Sequence, residues 1–251
     1  MSSSPPAVLA CAASDPTGGA GVQADLLTLA ALGCHPLSVV TALTVQDTSG
    51  VEALQAVDTR WVEDQARRLL AEWPIAAIKL GVLGSAGNVR ALAALLAAQR
   101  APLVFDPVLA SGRGDPLASD AVEAAMIEVI LPLATVATPN LLEARRLGGA
   151  ARLLSLGCRY VLVTGTHADT PEVVNTLYDA HGVVREDRWP RLPGSYHGSG
   201  CTLASAIAAL LARGLELPRA VGEAQEFTWR ALEAGFRPGA GQFIPQRFFK
   251  S

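Results

Sequence analysis

The chain lacks the features that mark several large classes of protein. Its 251 residues contain no run of lysine or arginine, and the formal net charge is −3. A basic surface for nucleic acid or for an anionic membrane is therefore not predicted. No stretch of about 18 uninterrupted apolar residues is present to span a bilayer. The N-terminus has neither the basic start nor the long apolar core of a secretory signal, so we expect a soluble, cytoplasmic protein.

Cysteine is also scarce. The four cysteines stand at positions 11, 34, 158 and 201 without CxxC spacing, so neither a structural zinc site nor a disulfide framework is predicted. Reduced thiols agree with a cytoplasmic location. The sequence contains no internal repeat and no long Pro/Gly linker, and half of its residues are hydrophobic. This length and composition predict one α/β domain over residues 1–251.

Short apolar runs alternate along the chain with Ala/Leu-rich segments of helical period. The runs are continuous rather than alternating, which is typical of strands buried on both faces of a parallel sheet. We predict strands at Val8–Ala13, Leu37–Leu43, Ala76–Leu80, Leu103–Phe105, Thr135–Ala137 and Tyr160–Val163, and helices at Val22–Leu32, Trp61–Glu72, Asn88–Gln99, Asp120–Ile130, Ala150–Leu156, Leu203–Arg213 and Pro218–Phe236. These repeated βαβ units indicate a mostly parallel sheet with helices on both faces.

Two segments depart from this rhythm. Val51–Val57 predicts an edge strand or flap, and Val173–Trp189 predicts a hairpin that turns near Ala180–Gly182. Both are placed to cover a site at the carboxyl edge of the sheet, where ligands bind in folds of this type.

The segment His197–Ala206 runs a glycine-rich turn directly into an apolar helix, with a cysteine at the junction. Small residues at Gly198, Ser199 and Gly200 let a ligand approach the backbone, and the first turn of a helix leaves N–H groups free to bind an oxyanion. The same field favours the thiolate of Cys201 and makes this cysteine a candidate base or nucleophile. The alternative is a connection that binds nothing, with Cys201 packed as a small hydrophobe.

Polar residues follow the other predicted strands. The glycine-rich loop 14–25 is not GxGxxG and lacks a Walker A lysine, so neither dinucleotide nor P-loop binding is supported. The amide of Gln46 can pair with the edge of a heterocycle, although a lone Gln is more often a surface residue. Asp106 follows one strand, and Asn140 and Glu143 follow the next, where a capping box would also explain the pair. Acidic and amide groups beside an anion site indicate phosphoryl transfer with Mg²⁺.

With these residues the chain resembles the ribokinase-like superfamily and, within it, the hydroxymethylpyrimidine and phosphomethylpyrimidine kinases of thiamine biosynthesis. Six motifs carry the resemblance and occur in order over nearly the whole chain. They are Ser14–Asp25, Thr41–Gln46, Lys79–Leu83, Asp106–Val108, Thr138–Glu143 and His197–Leu203. The cysteine of the last motif is the strongest discriminator, because many ribokinase-like sugar kinases carry an aspartate there.

The resemblance implies a ribokinase-like fold, a homodimer and a transfer of the γ-phosphoryl group that depends on ATP and Mg²⁺. The implied acceptor is the hydroxymethyl oxygen of 4-amino-5-hydroxymethyl-2-methylpyrimidine and, in a second step, its monophosphate. Cys201 would accept the proton of the attacking hydroxyl or hold that hydroxyl in line. The N–H groups of Gly198, Ser199 and Gly200 would stabilise charge on the phosphoryl group.

The resemblance also implies roles for the other candidates. It assigns Mg²⁺ to Asp106, Asn140 and Glu143, partly through water, the substrate to Gln46, Asp25, Ala20, Val82 and Val108, and the ATP phosphates to Thr164 and Gly165. Gln46 would read the aminopyrimidine edge, and residues around Phe227 would border the adenine.

One departure from the family pattern concerns the phosphates. Thr164–His167 stands where the family often has Lys-Gly-Gly-His, so a cationic contact is missing or is supplied by an arginine. The loop after Val108 often carries a lysine in the family, and Arg113 is the candidate substitute there. Two alternatives stay open: a pyridoxal or pyridoxine kinase, whose acceptor needs nearly the same site, and a non-catalytic pyrimidine-binding protein. A cysteine hydrolase is disfavoured, because the sequence marks no histidine as an oriented partner base.

Overall fold

The computed structural model describes residues 4–249, and within them nine strands form one sheet. The strands are β1 Ala7–Ser14, β2 His35–Gln46, β3 Val51–Ala56, β4 Ile75–Leu80, β5 Leu103–Phe105, β6 Val136–Ala137, β7 Tyr160–Val163, β8 Glu172–Asp179 and β9 Gly182–Pro190. Their order across the sheet is β3, β2, β1, β4, β5, β6, β7, β8, β9.

The sheet is parallel from β2 to β7 and antiparallel at both ends. β1 lies between β2 and β4, and its Leu9 pairs with Leu37 on one side and with Ile78 on the other. β3 pairs antiparallel with β2, and β8 and β9 form an antiparallel hairpin beside β7. The mostly parallel sheet, the edge strand and the hairpin all follow the prediction, so the predicted fold class is confirmed.

Eight α-helices cover the two faces of the sheet in the described part of the chain. They are α1 Gly21–Ala31, α2 Thr59–Glu72, α3 Ala86–Leu96, α4 Asp120–Ala125, α5 Leu141–Arg146, α6 Ala150–Ser155, α7 Ser199–Ala212 and α8 Leu217–Glu233. None of these helices is long and apolar enough to cross a membrane.

The residues of β1 alternate between two buried cores. Leu9 and Cys11 face the core formed with α2, α3, α4 and α6. Val8 and Ala10 face the core formed with α1, α7 and α8. Both faces of the strand are buried, and this explains why its sequence is apolar without alternation.

Two predicted helices differ from the observed ones. The segment predicted as one helix over 120–130 changes to a π-helical turn at Met126–Ile130. α7 begins at Ser199, four residues before the predicted start at Leu203, and Gly198 in the left-handed conformation precedes it. The glycine-rich turn is therefore part of the first turn of the helix.

The carboxyl ends of β1, β4, β5, β6 and β7 meet at one edge of the sheet, because these strands are parallel. The residues that directly follow these strands are Asp15, Gly81, Asp106, Thr138 and Thr164. β1 has a parallel neighbour on each side, and the chain order reverses there, which is where sheets of this kind open a crevice for ligands.

Candidate active site

A cavity of about 440 Å³ opens at this edge of the sheet. Its lining includes most of the residues that the sequence predicted for the site. They are Ala20, Gln46, Val82, Asp106, Val108, Asn140, Glu143, Thr164, Gly198, Ser199, Gly200 and Cys201. Loops that are far apart in the sequence thus converge on one space.

Three predicted site residues, Asp25, Gly165 and Phe227, lie outside the lining of the cavity. Asp25 is buried below it and pairs with Lys79, which does line the cavity. Gly165 backs onto β8, where an added Cβ would lie 2.3 Å from the carbonyl oxygen of Val174. Phe227 packs against the hydrophobic core instead. A role of Asp25 toward a ligand would therefore act through Lys79.

Lys79 places a buried cation at the floor of the cavity. Its Nζ lies 2.8 Å from Oδ1 and 2.9 Å from Oδ2 of Asp25, and Ser205 donates a hydrogen bond of 2.7 Å to the same carboxylate. Burial lowers the pKa of Lys79, but attraction to Asp25 and Asp106 outweighs it and raises the pKa above its usual value. The floor therefore holds a buried ion pair, with the Lys79 ammonium on the cavity side.

The loop between β1 and α1 touches the start of α7. Gly198 has a φ of 78°, and an added Cβ would lie 2.0 Å from the carbonyl oxygen of Gly19. Only glycine fits this position, for both conformational and steric reasons. Ser199 and Gly200, in the first turn of the 14-residue α7, border the cavity. Their helix start offers unpaired backbone N–H groups and the positive end of a helix dipole to an anion.

Cys201 lies in the same first turn and is partly buried. Burial raises the pKa of its thiol to about 12, although the Lys79 ammonium acts in the opposite direction. The carboxylates of Asp25 and Asp106 raise this pKa as well. The predicted thiolate near neutral pH is therefore wrong, because the loss of hydration outweighs the field of the helix start. The side chain is a neutral thiol.

Asp15 and His197 form a pair beside Cys201. Oδ2 of the buried Asp15 lies 2.8 Å from Nε2 of His197 and accepts a hydrogen bond of 2.7 Å from the Ala20 amide. Burial raises the pKa of Asp15, but these bonds and that from Thr17 outweigh it, and the pKa is lowered. An ionised carboxylate only accepts, so Nε2 carries the hydrogen and Nδ1 remains for a proton. Among residues 4–249 no hydrogen bond joins His197 to Cys201.

Asp106 and Glu143 bring two carboxyl groups to the cavity, with Asp106 next to Gly200 at the start of α7. Oδ2 of Asp106 is buried without a hydrogen-bond partner, 3.7 Å from a Cβ added at Gly200. Burial raises the pKa of Asp106 to about 6, against the attraction of Lys79. Burial and then the charge of Asp106 raise the pKa of Glu143 to about 8. Both oxygens of Glu143 accept backbone hydrogen bonds, from Leu109 and Asn140, so the unpartnered oxygen of the pair is Oδ2 of Asp106. Two neighbouring carboxyl groups, one with an unpartnered oxygen, suit a hard divalent cation.

Asn140 has a structural role at the start of α5. Its Oδ1 accepts hydrogen bonds from the backbone amides of Leu142 and Glu143 at 2.9 and 3.0 Å. The backbone amide of Asn140 donates to Oε2 of Glu143 at 2.9 Å. These bonds form the capping box that was one of the two interpretations of this pair in the sequence. Because the side-chain oxygen already accepts two bonds, Asn140 orients Glu143 rather than offering a free ligand atom. Residues 4–249 contain no cluster of three or more His, Cys, Asp or Glu that could hold a metal ion.

A buried polar network joins the β8–β9 hairpin to α8 at the other end of the cavity. Asn175 accepts a hydrogen bond from the Gly165 amide at 2.9 Å and donates one to Oε1 of Gln225 at 2.8 Å. Trp189 donates to the same oxygen at 3.1 Å. Nε2 of Gln225 donates to Asp187 at 2.7 Å. The oxygen of the Gln225 amide thus supports the loop that follows β7 through Asn175, and its nitrogen holds β9 through Asp187.

The positive charge and the aromatic surface at the hairpin end of the cavity come from residues that were not predicted from the sequence. Trp189 and Trp229 line the cavity with ring centroids 6.1 Å apart. Arg191 lines it too and donates a hydrogen bond of 2.8 Å to the carbonyl of Thr166. Arg113 instead contacts a loop carbonyl outside the cavity lining. The arginine beside the loop with the missing family lysine is therefore Arg191.

Some of these missed residues carried a signal in the sequence. Asp15 directly follows a strand, and Lys79 is a charged residue inside an apolar strand, so both stood at informative positions. His197 opens the glycine-rich motif. Gln225 and Arg191 carried no such signal, because their roles depend on partners distant in the chain.

The fold and the convergence of these loops define a ribokinase-like kinase. The chain belongs to the phosphomethylpyrimidine kinase family, which it matches over residues 15–246. It is 43% identical to the hydroxymethylpyrimidine/phosphomethylpyrimidine kinase of Streptomyces coelicolor, over 94% of this chain and 92% of that protein.

Two solved structures are similar over most of the chain. The phosphomethylpyrimidine kinase of Clostridium difficile has a TM-score of 0.77 and 32% identity, covering 89% of this chain and 97% of that chain. The pyridoxal kinase of Staphylococcus aureus in complex with AMP-PCP and pyridoxal has a TM-score of 0.88 and 29% identity, covering 98% of this chain and 94% of that chain. The family predicted from the sequence motifs is thereby confirmed.

Proposed function

We propose that this protein transfers the γ-phosphoryl group of ATP to 4-amino-5-hydroxymethyl-2-methylpyrimidine and then to its monophosphate, in thiamine biosynthesis. The observation that carries the proposal is the position of Cys201 in the first turn of α7, within one cavity with Asp106 and Gln46. Membership of the family supports the same reaction. Its products would be the pyrimidine monophosphate and diphosphate.

The start of α7 would receive the transferring phosphoryl group. In phosphoryl transfer the protein contributes mainly position and electrostatic stabilisation. The N–H groups of the Gly198–Cys201 turn and the ammonium of Lys79 would supply that stabilisation. As a neutral thiol, Cys201 would hold the attacking hydroxyl in line through a hydrogen bond rather than remove its proton. Nδ1 of His197, oriented through Nε2 by Asp15, is a group that can take the proton.

Asp106 and Glu143 are the residues that would hold Mg²⁺. The fit depends on the unpartnered Oδ2 of Asp106 and on the raised pKa of both carboxyl groups. A bound Mg²⁺ supplies charge neutralisation to phosphate oxygens. Asn140 would act by orienting Glu143 through the capping box.

The pyrimidine would occupy the end of the cavity near Gln46. The amide of Gln46 offers a donor and an acceptor to the aminopyrimidine edge. Ala20, Val82 and Val108 provide small and apolar lining of the same cavity. Asp25 would contribute indirectly, through the position and charge of Lys79.

ATP would bind toward the β8–β9 hairpin. Thr164 forms a parallel bridge with Asn140, so the proposed phosphate and metal positions adjoin. Gly165 is held by Asn175 behind that surface. The adenine border proposed around Phe227 would come from its neighbour Trp229, which lines the cavity, whereas Phe227 does not. The AMP-PCP complex of the Staphylococcus aureus pyridoxal kinase supports the use of a nucleotide triphosphate.

A pyridoxal kinase is the second candidate, and one observation favours it. The TM-score is 0.88 to the Staphylococcus aureus pyridoxal kinase and 0.77 to the Clostridium difficile phosphomethylpyrimidine kinase. The 43% identity to the Streptomyces coelicolor enzyme favours the pyrimidine instead. A pyridine with a hydroxymethyl group presents nearly the same acceptor, so the substrate must be tested directly.

We further propose that the protein is a cytoplasmic homodimer of single-domain subunits. Leu43 and Val45, on one face of β2, are 55% and 58% exposed, and Trp61 of α2 is 69% exposed. A second copy of this chain would cover exposed apolar side chains of this kind. The single sheet across residues 4–249 supports one domain, and four free cysteines agree with a reducing compartment.

The test is a phosphorylation assay with two acceptors. Purified protein is incubated with ATP, Mg²⁺ and either the hydroxymethylpyrimidine or pyridoxal, and products are followed by mass spectrometry. We expect pyrimidine mono- and diphosphate from the wild type, a large loss in Cys201→Ala and none in Cys34→Ala, whose cysteine is buried away from the cavity. Pyridoxal phosphate alone would establish the second candidate. Ligand binding without product would contradict both.

A further inference from the structure

The chain that follows α8 returns to the catalytic edge of the sheet. The amide of Phe243 donates a hydrogen bond to the carbonyl of Ser195, and the amide of His197 donates one to the carbonyl of Phe243, both at 2.8 Å. The segment then continues to Arg247, which is 3% exposed. The end of the described chain thus runs behind the glycine-rich turn.

Arg247 hydrogen-bonds to both loops that form the anion site. Its Nη2 donates to the carbonyl of Gly19 at 2.6 Å, and its Nε donates to Oγ1 of Thr202 at 3.1 Å. That hydroxyl donates in turn to the carbonyl of Gly198 at 2.8 Å. One guanidinium therefore spans the β1–α1 loop and the first turn of α7, the two segments that meet where Gly198 touches Gly19.

The charge of Arg247 is buried without an ion-pair partner. Among residues 4–249 no carboxylate forms a salt bridge with it, and its two hydrogen bonds go to neutral oxygens. Burial lowers the pKa of this guanidinium, while the carboxylates of Asp25 and Asp15 act in the opposite direction. A buried cation with only neutral partners costs stability. That cost is offset if the charge serves an anion on the cavity side of α7.

We infer that Arg247 is a positioning residue for phosphoryl transfer, an inference that rests on the proposed function. It fixes the Gly19 loop against the start of α7, so that the backbone N–H groups and Cys201 keep their places. It also holds a permanent positive charge behind the turn that receives the phosphoryl group. The C-terminal segment is in this way part of the active site, although the guanidinium does not line the cavity.

The experiment compares Arg247→Met, Arg247→Lys and the surface control Arg219→Met in the full chain. Arg219 carries the same group on α8 with a 75% exposed side chain. Three quantities are measured: kcat and KM for both substrates, the melting temperature, and amide hydrogen exchange of residues 18–20 and 199–202. The exchange measurement needs no substrate, so a failure of the proposed function would not obscure the result.

We expect Arg247→Met to lower kcat about ten- to a hundredfold, the factor for loss of a charge-assisted hydrogen bond. KM should change less, exchange should rise in both loops, and melting should stay near that of the wild type, because no carboxylate loses its partner. Arg247→Lys, which keeps the charge, should recover part of kcat and decides the matter if the methionine variant does not fold. Unchanged kcat and exchange would overturn the inference. A loss of activity that only follows global unfolding, with no recovery in Arg247→Lys, would overturn it too.

Discussion

Nε2 of His197 lies 2.8 Å from Oδ2 of Asp15, across a sequence separation of 182 residues. The contact ties the residue that follows β1 to the residue that precedes the glycine-rich turn of α7. It fixes both the tautomer and the orientation of the imidazole next to the proposed acceptor hydroxyl. The pair therefore holds two loops together and keeps Nδ1 of His197 as the ring nitrogen that remains for a proton.

Replacement of Asp15 by Asn tests this pair. The amide keeps the shape but removes the charge that orients His197, so we expect kcat to fall roughly 100-fold, the scale of general acid–base catalysis. The pKa of Asp15 is lowered below its usual 3.8 in the folded protein. The contribution of ionised Asp15 to the stability of the folded protein is therefore complete above about pH 4 and is lost as the pH falls further. Melting curves from pH 3 to 7 should show the wild type and Asp15→Asn converging only at the acid end. A difference independent of pH would contradict the ionised pair.

The reactivity of Cys201 follows from its raised pKa. Because this pKa is about 12, alkylation by iodoacetamide should be slow at pH 7 and should rise about tenfold per pH unit up to pH 9. Mass spectrometry of peptides gives the site. Cys201→Ala supplies the background from the three other cysteines, which are buried. Fast modification at pH 7 that no longer increases with pH would show a thiolate and would restore the original prediction.

Asp106→Asn separates the metal role from a structural one. We expect activity to fall by more than about 100-fold through loss of charge at the proposed Mg²⁺ position. The melting temperature should stay equal or rise, because the variant no longer buries a carboxylate charge whose desolvation is costly. Asp120→Asn, on the fully exposed side chain at the start of α4, is the control. If Mg²⁺ with a nonhydrolysable ATP analogue stabilised wild type and Asp106→Asn equally, the metal assignment would be wrong.

Gln225→Ala breaks the network behind the proposed nucleotide end. Asn175 and Asp187 both lose a partner, so the side chain that holds the Gly165 amide is no longer anchored. We expect KM for ATP to rise about tenfold, the cost of one hydrogen bond to a charged or buried group, with KM for the pyrimidine nearly constant. Glu223→Ala, on the exposed part of α8, should change neither. Equal effects on both KM values would contradict the assignment of this network to the nucleotide end of the cavity.

The strands, and the site residues that follow them, could be predicted from the sequence. Continuous apolar runs identified β1 and β5, because a strand buried on both faces needs no polar residue. The residues after those strands, Asp106 among them, then stood in the cavity as expected. Asn140 and Glu143 were ambiguous between a cap and a cation site, and in the structure both form the capping box while Glu143 also lies beside Asp106.

The rest depended on distances that a sequence does not contain. The state of the Cys201 thiol is set by how much water the folded chain removes from it, so a rule about helix starts alone gave the wrong answer. The partners of Arg247 are Gly19 and Thr202, at separations of 228 and 45 residues. No local sequence pattern predicts such a contact, because it forms only when the folded chain brings the C-terminal segment back to the sheet.

The burial of Lys79 has a practical consequence for labelling. The sequence has two lysines, Lys79 and Lys250, among 20 basic residues. The Lys79 ammonium is held by Asp25 with no exposed side-chain surface, so amine-reactive biotin or dye would leave the cavity unmodified.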